Sequence, residues 1–495
     1  MKKLEKCFAT VFATALLFTT MACQTGVEEK IVEKIVEVPV DMTSHDATAV
    51  YYWKQDVSGV GYENYNWQRK NVKAGTKLEA LALTNLTGYK PKGLVESLQA
   101  DGTYAINVYY DRNLVEVTLK VNGQEIKAKG LYDTFIDIAP VNAALESGTF
   151  IKAIGNPPVY KFPAEDAEYT VTTETPTLGS DGFVKVPAGE FKRAQYRGAT
   201  AYTIKLTKDL YVCDHEVTQG EWEQYMTYYG NAVGGTEWGQ KDSSYPYAPK
   251  QYLGEGENYP VYFVNWYEAV IYCNLLSIAE DKDPVYYLEL ETNTNPANWL
   301  ESDTLHTNIK KTAGANGKYY YDGTSSNSVL DDATKGIKMN LSANGYRLPT
   351  DAEWIYAALG SYSKSDNWNG YNDSSVFAGY DGTNEDCLEA YAWYGDRLRA
   401  LSHEIKAKLP NSYGLYDMSG NVNEWCYDWY GNYANSDEIN PTGPEGNGSM
   451  RRYHGGSSGN IDLGCMVSVS NGDRPSVRNI GIGFRLVRSG PSSEN

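Results

Sequence analysis

Residues 411–425 read NSYGLYDMSGNVNEW, and residues 481–489 read GIGFRLVRS. The first stretch turns through Ser419-Gly420-Asn421 between two carboxylates, Asp417 and Glu424. With the backbone carbonyls of Gly420 and Val422, these place oxygen ligands on both sides of one tight turn, the donor set that Ca²⁺ prefers. The same carboxylates would equally serve as caps, accepting backbone N–H bonds of the turn. Either role makes an irregular segment rigid without a helix or strand.

Working outward, three segments open with a cap residue followed three positions later by Glu: Thr218 with Glu221, Asn265 with Glu268, and Thr350 with Glu353. Reciprocal side-chain to backbone bonds at that spacing start helices. The last two precede runs read as amphipathic helices at Trp266 to Ala279 and Asp351 to Leu359, the latter closed by Gly360. Residues 290–340 are polar and rich in Asn, Thr, Ser and Gly, the composition of an inserted surface loop. Upstream, TTETPTLGS (172–180) is a linker composition, so 172–181 separates a domain at 182–490 from what precedes it.

That N-terminal part has strand periodicity. β-rich runs at Val50 to Trp53, Tyr104 to Tyr110 and Val115 to Val121 are divided by turn signals at Ala74-Gly75, Thr87-Gly88 and Asp101-Gly102. The run from AVYYWKQ through GYENYNWQRKNVKAGTKLEA, TGYKPKG and DGTYAINVYYDRN to LVEVTL resembles a Listeria–Bacteroides (InlB B-type) or MucBP-like repeat, which implies a small β-grasp-like module at 49–113. VTLKVNGQEIK, IKAIGNPP and YKFPAEDAEYTV resemble a second, degraded copy at 114–171. Residues 27–40, VEEKIVEKIVEVPV, stack Ile31 on Ile35 and Glu33 on Glu37 until Pro39, a short helical tether within 23–48.

Lys2, Lys3 and Lys6 precede an apolar run from Cys7 to Phe18, too short to span a bilayer and arranged as an export signal at 1–22. Thr20-Met21-Ala22-Cys23 resembles the lipobox of bacterial lipoproteins, with Thr20 where Leu is usual; Cys23 is the expected lipidated N-terminus. The chain is then expected outside the cell or on the periplasmic face, held to a membrane by lipid. Cys213, Cys273, Cys387, Cys426 and Cys465 remain, an odd number, so at least one thiol is unpaired within the chain. They form no CxxC and the five His no HExxH, so no transition metal held by His is expected. A formal charge of −19 across 495 residues gives no basic stripe for nucleic acid. The 42 Tyr, against 11 Phe and 11 Trp, suit either binding surfaces or half-buried strands.

FVKVPAGEF, DHEVTQGEWEQY, YPVYFVNWYEAVIYCNLLS, GYRLPTDAEWIYAALG, NSYGLYDMSGNVNEW, YHGGSS and GIGFRLVRS occur in this order between 183 and 489. Together they resemble the formylglycine-generating enzyme/sulfatase-modifying-factor (FGE-sulfatase) family. The resemblance implies an α+β, C-type-lectin-like fold with much irregular structure, its C-terminal segment returning beside its N-terminal strand. It implies a calcium site at Asp417, Gly420, Val422 and Glu424; the family's second calcium site has no matching carboxylate pair between Ala392 and Pro410. It also implies an oxidase in which two thiolates hold Cu(I), three and eight positions after the Ser of GGS. Counted from Ser457, those positions are Asn460 and Cys465, and an amide does not replace a thiolate for that ion. Cys465 is the catalytic candidate if the chain is such an oxidase. Cys426 would restore the pair only by folding beside it. Asn423 stands where the family has Trp in GNVWEW, and Leu486 where it has the Cys after GFR, which leaves Cys273 without that partner. The superfamily's iron branch takes its histidines from an extra helical domain with no counterpart here.

RRYHGGSSGNIDLGCMVSVSNGDRPSVRNIGIGFRLVRS further resembles the variable region of surface proteins diversified by retroelements, which use this same scaffold to bind ligands. GGS, Cys465, Val467, Pro475, Arg478 and GFR match its frame. Between them, Ser458, Asn460, Asp462, Met466, Ser468, Ser470, Asp473 and Arg474 follow no apolar alternation and are the candidate ligand-binding residues. The expected function is a lipid-anchored surface protein whose head binds an extracellular protein or glycan; the alternative is the Cys465 oxidase. Cys23→Ser is expected to release an unlipidated chain from membranes, as read by fractionation and mass spectrometry. Membrane retention of that variant without an acyl chain would contradict the lipoprotein reading.

Overall fold

The computed structural model describes residues 44–490 apart from 85, 147, 180–181, 194–199, 228–253, 289–308, 312–318, 322–336, 361–376, 379–387, 396–401, 435 and 445–448. The export signal, Cys23, the tether at 27–40 and Cys387 lie outside the described residues. Among the described residues no helix is long and apolar enough to cross a membrane.

Two compact units are present, the first comprising described residues 44–115, 131–134 and 163–165. It is built on strands β1 (Ala47–Gln55), β2 (Tyr62–Val72), β3 (Tyr89–Leu98) and β4 (Tyr104–Arg112), ordered β2-β1-β4-β3 with β1 and β4 parallel at the centre. Alternate residues Val50, Tyr52, Ile106, Val108 and Tyr110 line one buried face. On the other, Tyr51 stacks on Trp67 and Trp53 on Tyr109, which places part of the Tyr excess on a partly exposed sheet face.

The second unit contains most of β5 (Leu114–Val121) and β6 (Gln124–Leu131), then helix α1 (Ala139–Ala143), β7 (Phe150–Ile154) and β8 (Ala167–Glu174). Their order is β6-β5-β8-β7 with β5 and β8 parallel, so the two small sheets repeat one topology. The larger, irregular part of the unit opens with β9 (Val184–Val186), β10 (Gly189–Arg193), β11 (Tyr202–Leu206) and β12 (Leu210–Val212). Helices α2 (Gln219–Tyr225) and α3 (Trp266–Ala279) follow, then short strands β13 (Tyr286–Leu288), β14 (Ile309–Lys311), β15 (Tyr319–Tyr321) and β16 (Ile337–Met339), and helices α4 (Asp351–Leu359) and α5 (Leu388–Tyr391). The chain ends through β17 (Asn423–Trp429), β18 (Glu438–Ile439), β19 (Arg451–His454), β20 (Ser470–Asp473), β21 (Ile482–Gly483) and β22 (Val487–Ser489). Among the described residues this is an α+β, C-type-lectin-like architecture of few helices and many short strands. The terminal strand β22 pairs with β12, which pairs with β9, so the end of the domain closes on its beginning.

All three capping boxes form, and α3 and α4 occupy Trp266–Ala279 and Asp351–Leu359. Two expectations change. The stretch 290–340 is not all loop, because β14 pairs with β15 and β16 pairs back to β13. Helix α3 is buried on almost every face rather than amphipathic. Its polar residues sit inside because each has partners: Asn274 exchanges bonds with the backbone of Tyr286, Ser277 Oγ donates to Cys273 O, and Glu268 receives Arg478.

Buried ion pairs tie the loops together. Arg485 and Glu424 are fully buried and joined by Nε and Nη2 at 2.7–3.0 Å. The same guanidinium donates to the carbonyls of Cys213 and Tyr416, while Trp354 Nε1 donates to Glu424. Asp351, at the start of α4, receives Arg193 at 2.8 Å and His454 at 2.6 Å. Beside it Asp428 accepts the Asp351 backbone N–H, and burial together with the Asp351 carboxylate pushes Asp428 up to about 7.

A carboxyl raised on folding favours the folded state fully below its unfolded value near 3.8, and loses that contribution as pH rises toward about 7. Asp428→Asn keeps the acceptor and removes the charge. The loss of stability between about pH 5 and about pH 8 should therefore be smaller in the variant, with a gain on the order of 2 kcal/mol at the higher pH. An unchanged pH dependence would show that Asp428 carries no such penalty.

Candidate functional site

The segment 454–479 is held at both ends and open in the middle. At its start His454 is pinned between Asp351 and the Val469 carbonyl, and Ser458 N donates to Asn421 O. Gly456, at φ +73, lies so close to Cys465 Sγ that a Cβ would stand 2.6 Å from it, which makes glycine the residue that fits. At its end Arg478 pairs bidentately with buried Glu268, and the carbonyls of Pro475 and Asn479 accept from Trp266 and Phe263. The frame positions anticipated from sequence therefore do hold the segment.

The candidate ligand-binding residues divide. Asp462 and Arg474 are exposed, and Ser468 and Asp473 are partly so. Ser458 and Met466 are buried, which corrects their placement on a display surface. Asn460 Oδ1 is spent on Ser457 N and Oγ, and Ser470 Oγ accepts Arg452 Nη1. Two residues missed from sequence join the exposed set, Ile461 at 38% and Leu463 at 54% exposure. They flank Asp462 on the 3₁₀ turn at Asp462–Cys465, a turn no capping motif announces.

Cys465 faces inward, fully buried against Phe377, Leu388, Ala392 and Met466. Burial, with Asp462 adding, pushes its thiol up to about 12, the opposite of an activated thiolate. Cys426 lies in a different core cluster, beside Trp354 and Val467, and its thiol is likewise raised by burial. Cys213, Cys273, Cys426 and Cys465 are all free. With Asn460 spent on its own turn, these residues do not fit a two-thiolate copper site.

At the 417–424 turn the geometry is more favourable to a cation. Gly420 has φ +86 and lies against the backbone of Trp393, with a Cβ only 2.1 Å from its carbonyl. Glu424 has both oxygens turned to Arg485. Asp417 Oδ2 accepts Lys406 N, whereas Oδ1 is buried with no hydrogen-bond partner. Glu216, not singled out from sequence, is buried beside them and accepts from Asn421 Nδ2 and Val422 N. Burial, reinforced by Asp417 and Glu424, raises Glu216 well above its ordinary range, and burial pushes Asp417 up to about 6. Three carboxyl groups are thus buried close together, of which Arg485 bonds Glu424. The clustered carboxyl oxygens and the open Asp417 Oδ1 fit a bound cation.

A further constellation lies just past β12. Cys213, Asp214 and His215 present ligand atoms all within 4.8 Å of one another, on the wall of a cavity of about 310 Å³. His215 Nδ1 is 2.5 Å from Asp214 Oδ1, and Nε2 is 3.2 Å from Glu221 Oε1. Burial opposes charge on this ring, yet Cys213, Asp214 and Glu221 raise it well above its ordinary value. Counting CxxC and HExxH missed this group because its donors are consecutive. A second cavity, about 450 Å³, is lined by Ile136, Tyr160, Trp393, Tyr394 and Lys408, with burial lowering Lys408 to about 8.

Residues 168–490 match the sulfatase-modifying factor enzyme 1-like domain (FGE-sulfatase). Chaperone protein LppX of Paenibacillus barcinonensis is 32% identical over 266 residues, 52% of this chain and 75% of that protein. The formylglycine-generating enzyme of Streptomyces coelicolor is 32% identical over 156 residues, covering 29% of this chain and 46% of the enzyme, so the match spans less than half of the enzyme's length. Among solved structures, Treponema denticola variable protein 1 is 29% identical, covers 64% of this chain and 99% of that one, and superposes with a TM-score of 0.42. With 168–490 matched, the chain belongs to the sulfatase-modifying factor enzyme 1-like (FGE-sulfatase) domain family.

Proposed function

We propose that this protein is an exported chain, lipid-anchored through Cys23, whose FGE-sulfatase domain binds an extracellular protein or glycan instead of oxidising a cysteine. The observation that carries this reading is the contrast within 454–479. The catalytic candidate Cys465 is a buried neutral thiol, whereas Ile461, Asp462, Leu463, Asp473 and Arg474 reach solvent or its edge between fixed anchors. An apolar pair beside carboxylates and a guanidinium on a stiff frame is a surface suited to recognition, since binding energy concentrates in a few well-held side chains. The ligand-binding set is thereby Ile461, Asp462, Leu463, Ser468, Asp473 and Arg474.

The same reading gives Ca²⁺ a structural role. It would be held at Asp417 Oδ1 with the carbonyls of Gly420 and Val422, beside Glu216, while Glu424 remains committed to Arg485. The ion would offset the negative charge buried at Asp417 and Glu216. Saturation at about 100 times the Kd should add about 2.7 kcal/mol to stability. Asp417→Ala should abolish that gain; a wild-type melting curve indifferent to chelator would remove calcium and leave turn capping.

Recognition is tested on an array of extracellular proteins and glycans. Replacing Asp462, Leu463, Asp473 and Arg474 together with Ala or Ser should eliminate the wild-type signal while leaving the melting temperature within a few degrees, since exposed substitutions usually change stability by under about 0.5 kcal/mol each. Equal binding by that variant would place the recognition surface elsewhere and contradict the assignment.

A further inference from the structure

The Cys213-Asp214-His215 group is used by neither the display segment nor the 417–424 turn. Its three donors differ in kind: a thiol, an imidazole and a carboxylate. Soft sulfur with borderline nitrogen suits Zn²⁺ and its first-row neighbours, whereas Ca²⁺ and Mg²⁺ take oxygen alone. We propose that Cys213 Sγ, His215 Nδ1 and Asp214 Oδ1 bind one divalent transition ion of the Zn²⁺ class, with a fourth position open to the adjoining cavity.

The orientation of His215 supports this assignment. Its Nε2 faces Glu221 Oε1 at 3.2 Å, and Glu221 is itself fixed because its Oε2 accepts Thr218 N at 2.8 Å in the capping box of α2. A metal-bound histidine characteristically donates its distal N–H to a carboxylate, which fixes the ring and the tautomer. Glu221 is therefore a positioning residue, and it leaves Nδ1 to face Cys213 and Asp214. Cys213 Sγ lies 3.6 Å from Nδ1 and 3.9 Å from Nε2, the shorter distance close to the roughly 3.5 Å that separates sulfur and nitrogen donors on a tetrahedral zinc. Asp214 Oδ1 now bonds Nδ1 directly at 2.5 Å and would open by about 1 Å, the ion taking the place of the shared proton. Asp214 Oδ2 is already engaged by Lys406 at 2.8 Å, so Oδ1 is the oxygen available.

Three protein ligands with a free fourth position allow an outside ligand on the ion. The cavity that receives it, about 310 Å³, is walled by Phe183, Tyr225, Tyr272 and Tyr346. Aromatic faces mixed with Glu221, Gln224 and Glu280, with a metal at one end, suit a small molecule that carries one metal-binding donor and further hydrogen-bonding groups.

The test uses the full chain, stripped with chelator and titrated with Co²⁺, whose thiolate complexes absorb in the near ultraviolet through sulfur-to-metal charge transfer. Wild type should take up one Co²⁺ with that band and with visible bands of tetrahedral intensity, and Zn²⁺ should bleach both. Cys213→Ser should lose the charge-transfer band, and His215→Gln should weaken Co²⁺ binding by at least about tenfold. Should Cys213→Ser fail to fold, as judged by circular dichroism, His215→Gln carries the comparison, because that side chain is 17% exposed. Absence of the band in wild type, its persistence in Cys213→Ser, or unchanged affinity in His215→Gln would overturn the site and leave a protonated histidine held between two carboxylates.

Discussion

The domain depends on one buried interaction, the Arg485–Glu424 pair. Removing both charges from water is expensive, and the pair survives because each guanidinium nitrogen has an acceptor: Nε and Nη2 make three contacts to the two carboxylate oxygens, and Nη1 and Nη2 donate to the carbonyls of Cys213 and Tyr416. Those acceptors come from distant parts of the chain. One guanidinium therefore fixes the exit of β12, the approach to the 417–424 turn, strand β17 and, through Trp354, helix α4. Lysine could not do this, since its point charge lacks the planar fork that reaches four acceptors at once. In a fold with short helices and two- to seven-residue strands after β12, such bonds supply the rigidity that long secondary structure supplies elsewhere.

The same device recurs around the 454–479 segment. Arg478 on Glu268 and His454 on Asp351 anchor its two ends, and each acidic partner sits in the first turn of a helix, Glu268 in α3 and Asp351 in α4. Glu268 and Glu353 also close capping boxes, so these residues set the helix start as well as gripping an arginine, Arg478 or Arg347. Between the anchors the chain is free to carry any side chain that does not enter the core. Ser458 and Met466 fall outside that freedom because the backbone there turns inward around Cys465.

How much of this was legible follows from the range of each interaction. Capping boxes are local, so Thr218, Asn265 and Thr350 announced their helices, and the bounds of α3 and α4 could be read directly. Motif order carried the fold, because GFR and the 411–425 turn are fixed by the geometry they must share. What sequence could not give was direction. Polar residues of α3 looked like a solvent face and are inside, because their partners at Tyr286 and Arg478 are far along the chain or on another element. Glu216 and Ile461 were overlooked because burial and exposure at those positions are set by tertiary packing, and the Cys213 group because its chemistry lies in three adjacent residues that match no spaced motif.

The proposed function has this family scaffold serve recognition in place of oxidising a substrate thiol. It rests on Cys465, a thiol buried and raised in place of an exposed thiolate, with an amide at the companion position already bonded to Ser457. The most direct measurement is oxygen consumption by the purified full chain supplied with Cu(I) and a cysteine-containing peptide. No uptake above the protein-free control is the predicted result; copper-dependent uptake that forms an aldehyde on the peptide and disappears in Cys465→Ser would contradict it.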